Sequence, residues 1–459
     1  MRLDFTSWLA VRLAALCAAL ATSAASAESP ADPAQRLRAE LTPVGAERAG
    51  SASSGIPDWT GGITAPPPEY EPGASHVDPF AGDERSFTID AQNWERYASQ
   101  LTPGQQALLQ AHPGSWSMAI YPTRRSASYP SWVYDAIAEN AARARLISEG
   151  KGGVEDARIS SPFPIPQSGV EIIWNHNLRW RGTYVRRGNG LAAVTRRGNY
   201  RIVLSLQEIG LPYGSRDETP FKRKYPNVMF AAKSKIIEPS LLAGNGSLAI
   251  ETINQTDDPR KVWTYNQALR RVVRAPFVAY DFPSPDTDNL RTTDDIELFL
   301  GPPDRFDWKI LGKREIYIPY NAYRLNSHSL APEEILLDHH IDPDLARYEL
   351  HRVWVVEGRL KPGAKHVYSR RVFYVDEDSW QIAAADLYDL SGRLWRAAEA
   401  HAINFYEVPV HWSTLEVYYD LIARRYLVSG LDNSFTPPQF GETADPRAFS
   451  PNALGYYIR

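Results

Sequence analysis

Residues 347–404 constrain the fold most strongly, because they read as long strands that only short turns separate. The chain turns at residues 361–363, 376–378 and 391–392, and each turn joins two runs with a period of two. Neighbouring strands joined in this way pair antiparallel. Long strands twist, and a sheet built from them curls. The region therefore predicts a large, strongly bent antiparallel sheet at the centre of an α+β fold.

The N-terminus has the pattern of a secretory signal peptide over residues 1–27. Two arginines accompany an apolar run at residues 13–21, and Ala25-Ser26-Ala27 fits the preference of a signal peptidase. The apolar run is shorter than the roughly 20 residues that a membrane-spanning helix needs. We therefore expect the protein to be exported and cleaved after Ala27.

Cysteine content and charge exclude several kinds of protein. The only cysteine, Cys17, lies inside the signal peptide, so the exported chain has no disulfide, thiolate metal site or cysteine nucleophile. The formal net charge is −4, which gives no electrostatic footprint for nucleic acid. The 35 prolines argue against long helices, while 13 tryptophans and 24 tyrosines favour strands and apolar pockets.

Four segments follow the signal peptide. Residues 28–85 are rich in turn signals and proline, which indicates an extended arm laid over a surface. Residues 86–170 contain the helical patterns, and we expect these helices to pack on the sheet. Residues 171–430 are the curved β domain. Residues 431–459 return to irregular, proline-bearing sequence and are interpreted as a tail.

Local signals place some helix ends and turns. Residues 102–105 (Thr-Pro-Gly-Gln) form a capping box with proline at the first helical position, which predicts a helix there. Ser131 can cap a further helix, which Gly150 would end. Residues 186–189 and 196–199 both read Arg-Arg-Gly-Asn, and this repeat predicts two successive hairpin tips.

Two groups of side chains have metal-ligand character. Residues 338–342 (Asp-His-His-Ile-Asp) offer zinc-type ligands, but adjacent histidines on a strand point to opposite sides, which favours a solvated loop. Asp286, Asp288 and Glu297 match three positions of a calcium loop, but Arg291 stands where that loop requires glycine. No nucleophile elbow, phosphate-binding loop or zinc-protease motif occurs. The sequence therefore assigns no metal, no cofactor and no catalytic residue.

One predicted hairpin combines aromatic residues with a cluster of arginines. Trp263 and Tyr265 lie on its first strand, and Arg270, Arg271 and Arg274 follow across the turn. The arginines of an amphipathic hairpin can simply face water. Guanidinium groups at the mouth of an apolar trough can instead pair with an anionic head group or with a partner surface. The sequence leaves both interpretations open.

The same hairpin resembles the tryptophan-x-tyrosine, arginine-rich hairpin of periplasmic lipoprotein-sorting proteins. A nearly full-length resemblance is to domain-of-unknown-function family thirteen-twenty-nine, an uncharacterised relative of those proteins. On this resemblance the chain is identified as a member of that family. The segments that carry it are residues 41–47, 56–62, 121–125, 162–166, 348–357 and 373–380.

The resemblance implies a fold and a setting, but it brings no catalytic residues. The sorting proteins have an unclosed, curved half-barrel whose helices cover an apolar concavity. The family resembles periplasmic partners of resistance-nodulation-division transporters and of an outer-membrane protein, with lipids or sterol-like compounds as cargo. It therefore implies a periplasmic protein that works with an inner-membrane transporter and an outer-membrane protein.

Together these observations predict a non-catalytic periplasmic carrier for a lipid-like or other apolar ligand, bound in the trough of an unclosed half-barrel. The alternatives are a docking scaffold, which would have a packed interior, and a periplasmic hydrolase, which would have a polar cleft. Arg270, Arg271 and Arg274 are candidates for the rim or for partner contact. The candidates for the aromatic lining are Trp263, Tyr265, Trp354, Phe373, Trp380 and Trp395.

Overall fold

A computed structural model describes residues 33–275, 281–441 and 443–458 of the protein. The predicted signal peptide lies outside the described residues. Among the described helices, none combines the length and the apolar character that a bilayer span requires.

Seven α-helices and several short 3-10 turns lie among the described residues. The helices are α1 (Pro33–Ala39), α2 (Pro103–Ala111), α3 (Ser131–Arg143), α4 (Gly169–Leu178), α5 (Pro220–Lys224), α6 (Pro332–Ile335) and α7 (Pro451–Ile458). The 3-10 turns are Trp94–Gln100, Ser148–Gly150, Pro212–Gly214, Pro285–Thr287, Thr293–Leu298 and Pro446–Ala448.

The strands carry most of the structure. They are β1 (Phe87–Ile89), β2 (Met118–Ile120), β3 (Arg145–Leu146), β4 (Val154–Glu155), β5 (Tyr184–Val194), β6 (Ile202–Gly210), β7 (Val228–Glu238), β8 (Gly246–Thr252), β9 (Lys261–Asn266), β10 (Arg271–Arg274), β11 (Phe306–Pro319), β12 (Tyr348–Leu360), β13 (Arg370–Asp376), β14 (Ile382–Tyr388), β15 (Leu394–Phe405), β16 (Val410–Asp420), β17 (Arg425–Ser429) and β18 (Gln439–Gly441).

Sixteen of these strands form one unclosed sheet, which confirms the predicted architecture. Its order is β1-β2-β12-β13-β14-β15-β16-β17-β5-β6-β7-β8-β9-β10, with β11 beside β12 and β18 beside β5. All its ladders are antiparallel except the short parallel contact between β2 and β12, which makes the sheet mixed. Strands β12 to β17 are consecutive in space as well as in sequence, because short turns connect them.

One of the two predicted hairpin tips is wrong. Only residues 196–199 form a turn, with Gly198 at φ 78°, whereas residues 186–189 lie inside β5. The glycines there serve close packing: a Cβ on Gly188 would lie 2.0 Å from Cγ of Phe435. A Cβ on Gly190 would likewise lie 2.5 Å from the carbonyl oxygen of Leu431. The returning chain, not a turn, therefore explains these glycines.

The N-terminal arm docks on the sheet through a few buried contacts. Val44, Ala46 and Ile56 are buried in the main core. The indole Nε1 of Trp380 donates to the carbonyl oxygen of Val44 at 3.0 Å. Nδ2 of Asn404 donates to the carbonyl oxygen of Ile63 at 2.8 Å. After helix α1, the arm is thus extended chain held by side chains of the sheet, as the sequence predicts.

Helices pack on both faces of the sheet. We call the face that carries Phe373, Ala385 and Ala398 the inner face, since β13, β14 and β15 align these residues in register. Helix α4 and residues 291–300, here named the inner segment, cover part of this face. Helix α2 covers the opposite, outer face, against β14 and β15.

The N-terminus of α2 is fixed by a buried carboxylate. The backbone N–H of Gly104 donates to Oδ1 of Asp386 at 2.8 Å, and the Tyr374 hydroxyl donates to Oδ2 at 3.0 Å. Nε2 of Gln105 also donates to Oε1 of Glu399 at 2.9 Å. Burial raises the pKa of Asp386 to about 7. The helix N-terminus therefore meets a carboxyl group that exchanges its proton near neutral pH.

We predict that Asp386→Asn weakens the pH dependence of stability between pH 8 and pH 6. The pKa of Asp386 is raised in the folded state, so its contribution to stability grows as the pH falls through about 7. One such carboxyl group changes the free energy of unfolding by roughly 1 kcal/mol between pH 8 and pH 6. Asparagine does not titrate, so it makes no such contribution. Urea unfolding at both pH values measures the difference. The exposed Asp135→Asn is the matched control, and an unchanged pH dependence in Asp386→Asn would contradict the prediction.

Candidate functional site

The inner face of the sheet is not covered evenly. Beside the inner segment, the strands β5 to β9 and β16 leave a partly enclosed cavity of about 240 Å³. The strand residues around it share one face: Arg187, Asn189, Gln207, Ile209, Ala232, Ser234, Ser247, Ala249, Val262, Trp412, Glu416 and Ser429.

The register of the strands explains why the cavity exists. Ile209 lies opposite Ala232, Ala232 opposite Ala249, and Ala249 opposite Val262. In the neighbouring row, Ser234 lies opposite Ser247. Small side chains therefore stand in a row across β7 and β8. Since side chains alternate between the faces of a strand, this row leaves the hollow on the inner face alone.

The cavity wall is apolar on one side and charged on the other. The apolar residues are Ile209, Leu211, Phe230, Val262, Ile296 and Leu300. The charged residues are Arg181, Arg187, Lys233, Arg260, Arg291, Glu297 and Glu416. The cavity is thus neither the wholly apolar trough that the sequence predicts nor a purely polar cleft.

Three of the cations have carboxylate partners. Arg181 lies 2.8 Å from Glu297. Lys233 lies 3.1 Å from Glu208, and Arg260 lies 2.5 Å from Glu251. These pairs are largely buried. Those of Arg181 and Arg260 lie on the cavity face, whereas Lys233 and Glu208 lie on the opposite face, where Lys233 is 4.2 Å from the ring centroid of Tyr457.

The remaining two arginines have no ion pair within the described part of the chain. Arg187 donates from Nε to Oε1 of Gln207 at 3.1 Å, and its guanidinium carbon lies 4.8 Å from the ring centroid of Trp412. Arg291 is 9% exposed, and its buried Nε has no hydrogen-bond partner. The cavity therefore carries positive charge that the protein itself does not neutralise by contact.

A buried ion network holds the inner segment against the sheet. Arg371, on the inner face of β13, lies 2.9 Å from Asp294 and 3.4 Å from Asp295. Nε2 of His366 lies 3.2 Å from Asp294. Burial alone would raise the pKa of Asp294, but Arg371 and His366 hold it well below its usual value. Asp294 is therefore a fixed negative charge.

The other end of the inner segment is held by Glu297. Glu297 has φ 54° and Leu298 has φ 66°, a strained conformation for residues other than glycine. Arg181 and Arg179 both bind the Glu297 carboxylate. Against the effect of burial, these two arginines hold the pKa of Glu297 well below its usual value. Two buried guanidinium groups thus share one carboxylate.

The structure does not bring the predicted aromatic lining together. Trp263 and Tyr265 lie in a cluster beneath α7, with Leu454 and Ile458, and so face away from the cavity. Phe373 is on the inner face, but it is covered by Phe299 at a centroid distance of 5.7 Å.

The other three predicted aromatics lie elsewhere. Trp354 and Trp380 stack at 6.4 Å, and Trp380 contacts the arm. Trp395 donates from Nε1 to Oδ2 of Asp420 at 2.9 Å. None of the six is among the residues that line the cavity. Their role in ligand binding stays a prediction.

Arg270, Arg271 and Arg274 are exposed at the end of the sheet. They belong to the hairpin of β9 and β10, and β10 is the last strand of the sheet order. They do not line the cavity. The arginines that do, Arg187 and Arg291, were singled out only as part of a turn signal and as a misfit to a calcium loop.

The histidine-rich segment is less exposed than the sequence suggests. His340 is buried, and its Nε2 lies 2.9 Å from the hydroxyl of Ser115. Its partner His339 stacks on His112 at 5.2 Å. Residues 338–342 form a loop in which Asp338 is exposed, but His340 is not solvated, because α2 and its following turn pack over it.

One further cluster has metal-ligand geometry. Ligand atoms of His351, Asp376 and Asp378 lie within 4.8 Å of one another. However, Arg125 binds both oxygens of Asp378, at 2.8 and 2.7 Å. Asp376 accepts a hydrogen bond from the hydroxyl of Ser379 at 2.5 Å. These partners make the cluster a structural junction between the arm and the sheet.

The sequence matches the family described as Protein of unknown function (DUF1329) over residues 88–455. The chain belongs to this family. A relative of this DUF1329 chain, an uncharacterised protein of Pseudomonas aeruginosa, is 44% identical to it over 436 residues, which cover 95% of each chain.

Two solved structures show limited similarity to this DUF1329 chain. One is an outer-membrane lipoprotein-sorting protein domain from Vibrio parahaemolyticus, with 12% identity and a TM-score of 0.41. The other is a DUF1329 protein from Desulfovibrio piger, with 15% identity and a TM-score of 0.41. Each alignment covers 60% of this chain and 92% of the other.

We predict that Glu297→Gln strongly destabilises the protein. The substitution leaves Arg179 and Arg181 buried without their shared counter-charge, and breaking a buried ion pair in this way costs about 3–5 kcal/mol. Urea unfolding monitored by tryptophan fluorescence measures the free energy of unfolding. The exposed Glu84→Gln should change it by less than about 0.5 kcal/mol. If Glu297→Gln lowers the free energy of unfolding by less than about 1 kcal/mol, the shared ion pair of Glu297 with Arg179 and Arg181 does not hold the inner segment as described.

Proposed function

We propose that the protein is a non-catalytic binding protein or carrier for a small, lipid-like ligand that occupies the cavity beside the inner segment. The supporting observation is the set of small residues Ala232, Ser234, Ser247 and Ala249, which leaves about 240 Å³ unfilled beside the inner segment. Protein interiors leave few voids larger than a water molecule. An apolar cavity of ~150 Å³ is already large enough to bind benzene.

The size of the cavity limits the ligand. Benzene places six non-hydrogen atoms in a cavity of ~150 Å³, so a cavity of about 240 Å³ holds roughly ten such atoms. A longer chain would extend through the open side of the cavity into solvent. Each methylene group that enters the apolar half contributes about 0.8 kcal/mol to binding. A single medium-length chain, rather than a whole multi-chain lipid, fits this space.

The setting that we propose is the periplasm, with a resistance-nodulation-division transporter and an outer-membrane protein as partners. The predicted signal peptide and the family resemblance support this proposal. Arg270, Arg271 and Arg274, exposed on the outermost hairpin, are the proposed partner contact. Charged residues on an edge strand also prevent non-specific strand pairing.

The two alternatives fit the interior less well. A docking scaffold needs no cavity, and nothing in its function would select a row of small residues across β7 and β8. A hydrolase would bring carboxylates or histidines together in a polar cleft, and the residues of this kind that line the cavity are Glu297 and Glu416. Arg179 and Arg181 both form ion pairs with the Glu297 carboxylate. Glu416 accepts hydrogen bonds from Ser413 and Tyr418, at 3.1 and 2.8 Å. Both carboxylates therefore already have partners within the protein.

We predict that Ala249→Trp blocks ligand binding. The indole would fill the space between β8 and the inner segment. In titrations with N-phenyl-1-naphthylamine, a neutral fluorophore, the affinity should fall at least tenfold. Mass spectrometry of organic extracts should likewise find a co-purifying apolar compound with the wild-type protein and not with this variant.

Ala268→Trp is the matched control, because Ala268 is exposed in the turn between β9 and β10. It should bind the fluorophore as the wild type does. Absence of any extracted compound, together with absence of fluorophore binding to the wild-type protein, would refute the proposed function.

A further inference from the structure

We infer that the ligand carries one anionic group, a carboxylate or a phosphate, and that Arg291 and Arg187 bind this group inside the cavity. The inference rests on the proposed function and narrows its ligand to an anionic amphiphile. It comes from the two cavity arginines that lack a carboxylate partner.

Arg291 gives the stronger support for a bound anion. It begins the inner segment, lines the cavity and is 9% exposed. Its guanidinium carbon lies 6.0 Å from the ring centroid of Tyr418, and its buried Nε has no hydrogen-bond partner. The guanidinium group also interacts with the Tyr418 hydroxyl, but a buried, charged N–H that is left without an acceptor is costly. A bound anion would supply the missing acceptor.

Arg187 reaches the cavity from β5 and is held in place by neutral groups. Its Nε donates to Gln207, and its guanidinium plane lies over Trp412. Stacking on an aromatic ring orients a guanidinium group without neutralising its charge. The planar fork of donors therefore stays free for a bidentate contact with a carboxylate or phosphate.

The acidic groups near these arginines do not take the place of an external anion. Glu416 attracts Arg291 and Arg187 but forms no ion pair with either; its oxygens accept hydrogen bonds from Ser413 and Tyr418, and burial raises its pKa. Asp432 acts on Arg187 only at longer range, and burial raises its pKa to about 7. Asp286 acts on Arg291 at longer range as well.

The neighbouring ion pairs do not offset this positive charge. Glu297 is shared between Arg179 and Arg181, so this buried group has more guanidinium than carboxylate. Across from the charged side lie Ile209, Phe230 and Val262. A ligand that satisfies both sides has an anionic head group and an apolar body.

The test compares three ligands that share a ten-carbon chain: decanoate, decyl phosphate and the neutral decanol. Isothermal titration calorimetry with the mature protein gives the Kd of each. At least one anion should bind ten times more tightly than decanol or better. The tighter of the two anions identifies the head group as carboxylate or phosphate.

Arg291→Met removes the charge and keeps a long side chain in the cavity. It should weaken anion binding at least tenfold and leave the Kd for decanol unchanged, which also shows that the cavity is intact. Arg187→Met, at a half-buried position, should act in the same direction. Arg96→Met is the control, because Arg96 is exposed and does not line the cavity.

The outcomes separate the two proposals. If decanol binds as tightly as both anions, or if Arg291→Met weakens all three ligands equally, the anionic head group is refuted and the carrier function stands. If none of the three ligands binds to a wild-type protein that does bind the neutral fluorophore, the head-group inference is again refuted. If the fluorophore does not bind either, both proposals fail together.

Discussion

The contact between Arg371 and the paired carboxylates Asp294 and Asp295 determines how the interior of the protein is arranged. It draws residues 291–300 onto the inner face of β13 to β16, where the ion pairs are fully buried. A second contact, from Arg179 and Arg181 to Glu297, holds the end of the same segment. Buried ion pairs contribute little net stability compared with apolar packing, but they fix position, because a misplaced charge is heavily penalised.

The position of this segment divides the sheet into two halves with different roles. In β13 to β16 every residue is buried or nearly so, since helices cover the outer face and the inner segment with α4 covers the inner one. In β6 to β9 the inner face carries small residues and stays open. The packed half supplies a rigid frame, and the open half supplies the space. The strained backbone at Glu297 and Leu298 lies at the boundary between the two.

Much of this fold follows from local patterns in the sequence. The short turns between residues 347 and 404 determine the meander, and the Thr102–Gln105 capping box determines the start of α2. The turn prediction failed at Gly188, because a glycine needed for contact with Phe435 has the same local sequence as a glycine in a turn. Only the packing of a segment some 250 residues later in the chain distinguishes the two.

The candidate site was less accessible to sequence reasoning than the fold. Aromatic residues were expected to line the trough, yet Trp263 and Tyr265 lie on the opposite face of the same strand as Val262. The positions of α7 and of the inner segment determine which face of the strand is inward. No local sequence pattern indicates these positions. The alternation of alanine and serine in β7 and β8 was the available signal. It becomes meaningful only when the strand register aligns the two rows.

The central claim is that the small residues of β7 and β8 leave a space which an apolar molecule can enter. A crystal structure of the mature protein grown with 1-bromodecane tests this directly, because bromine is located by its anomalous scattering. We expect a bromine peak, or continuous density for the chain, between the inner face of β6 to β9 and residues 291–300. If the protein's own side chains fill that space and bromine is found only on the surface, the account is contradicted.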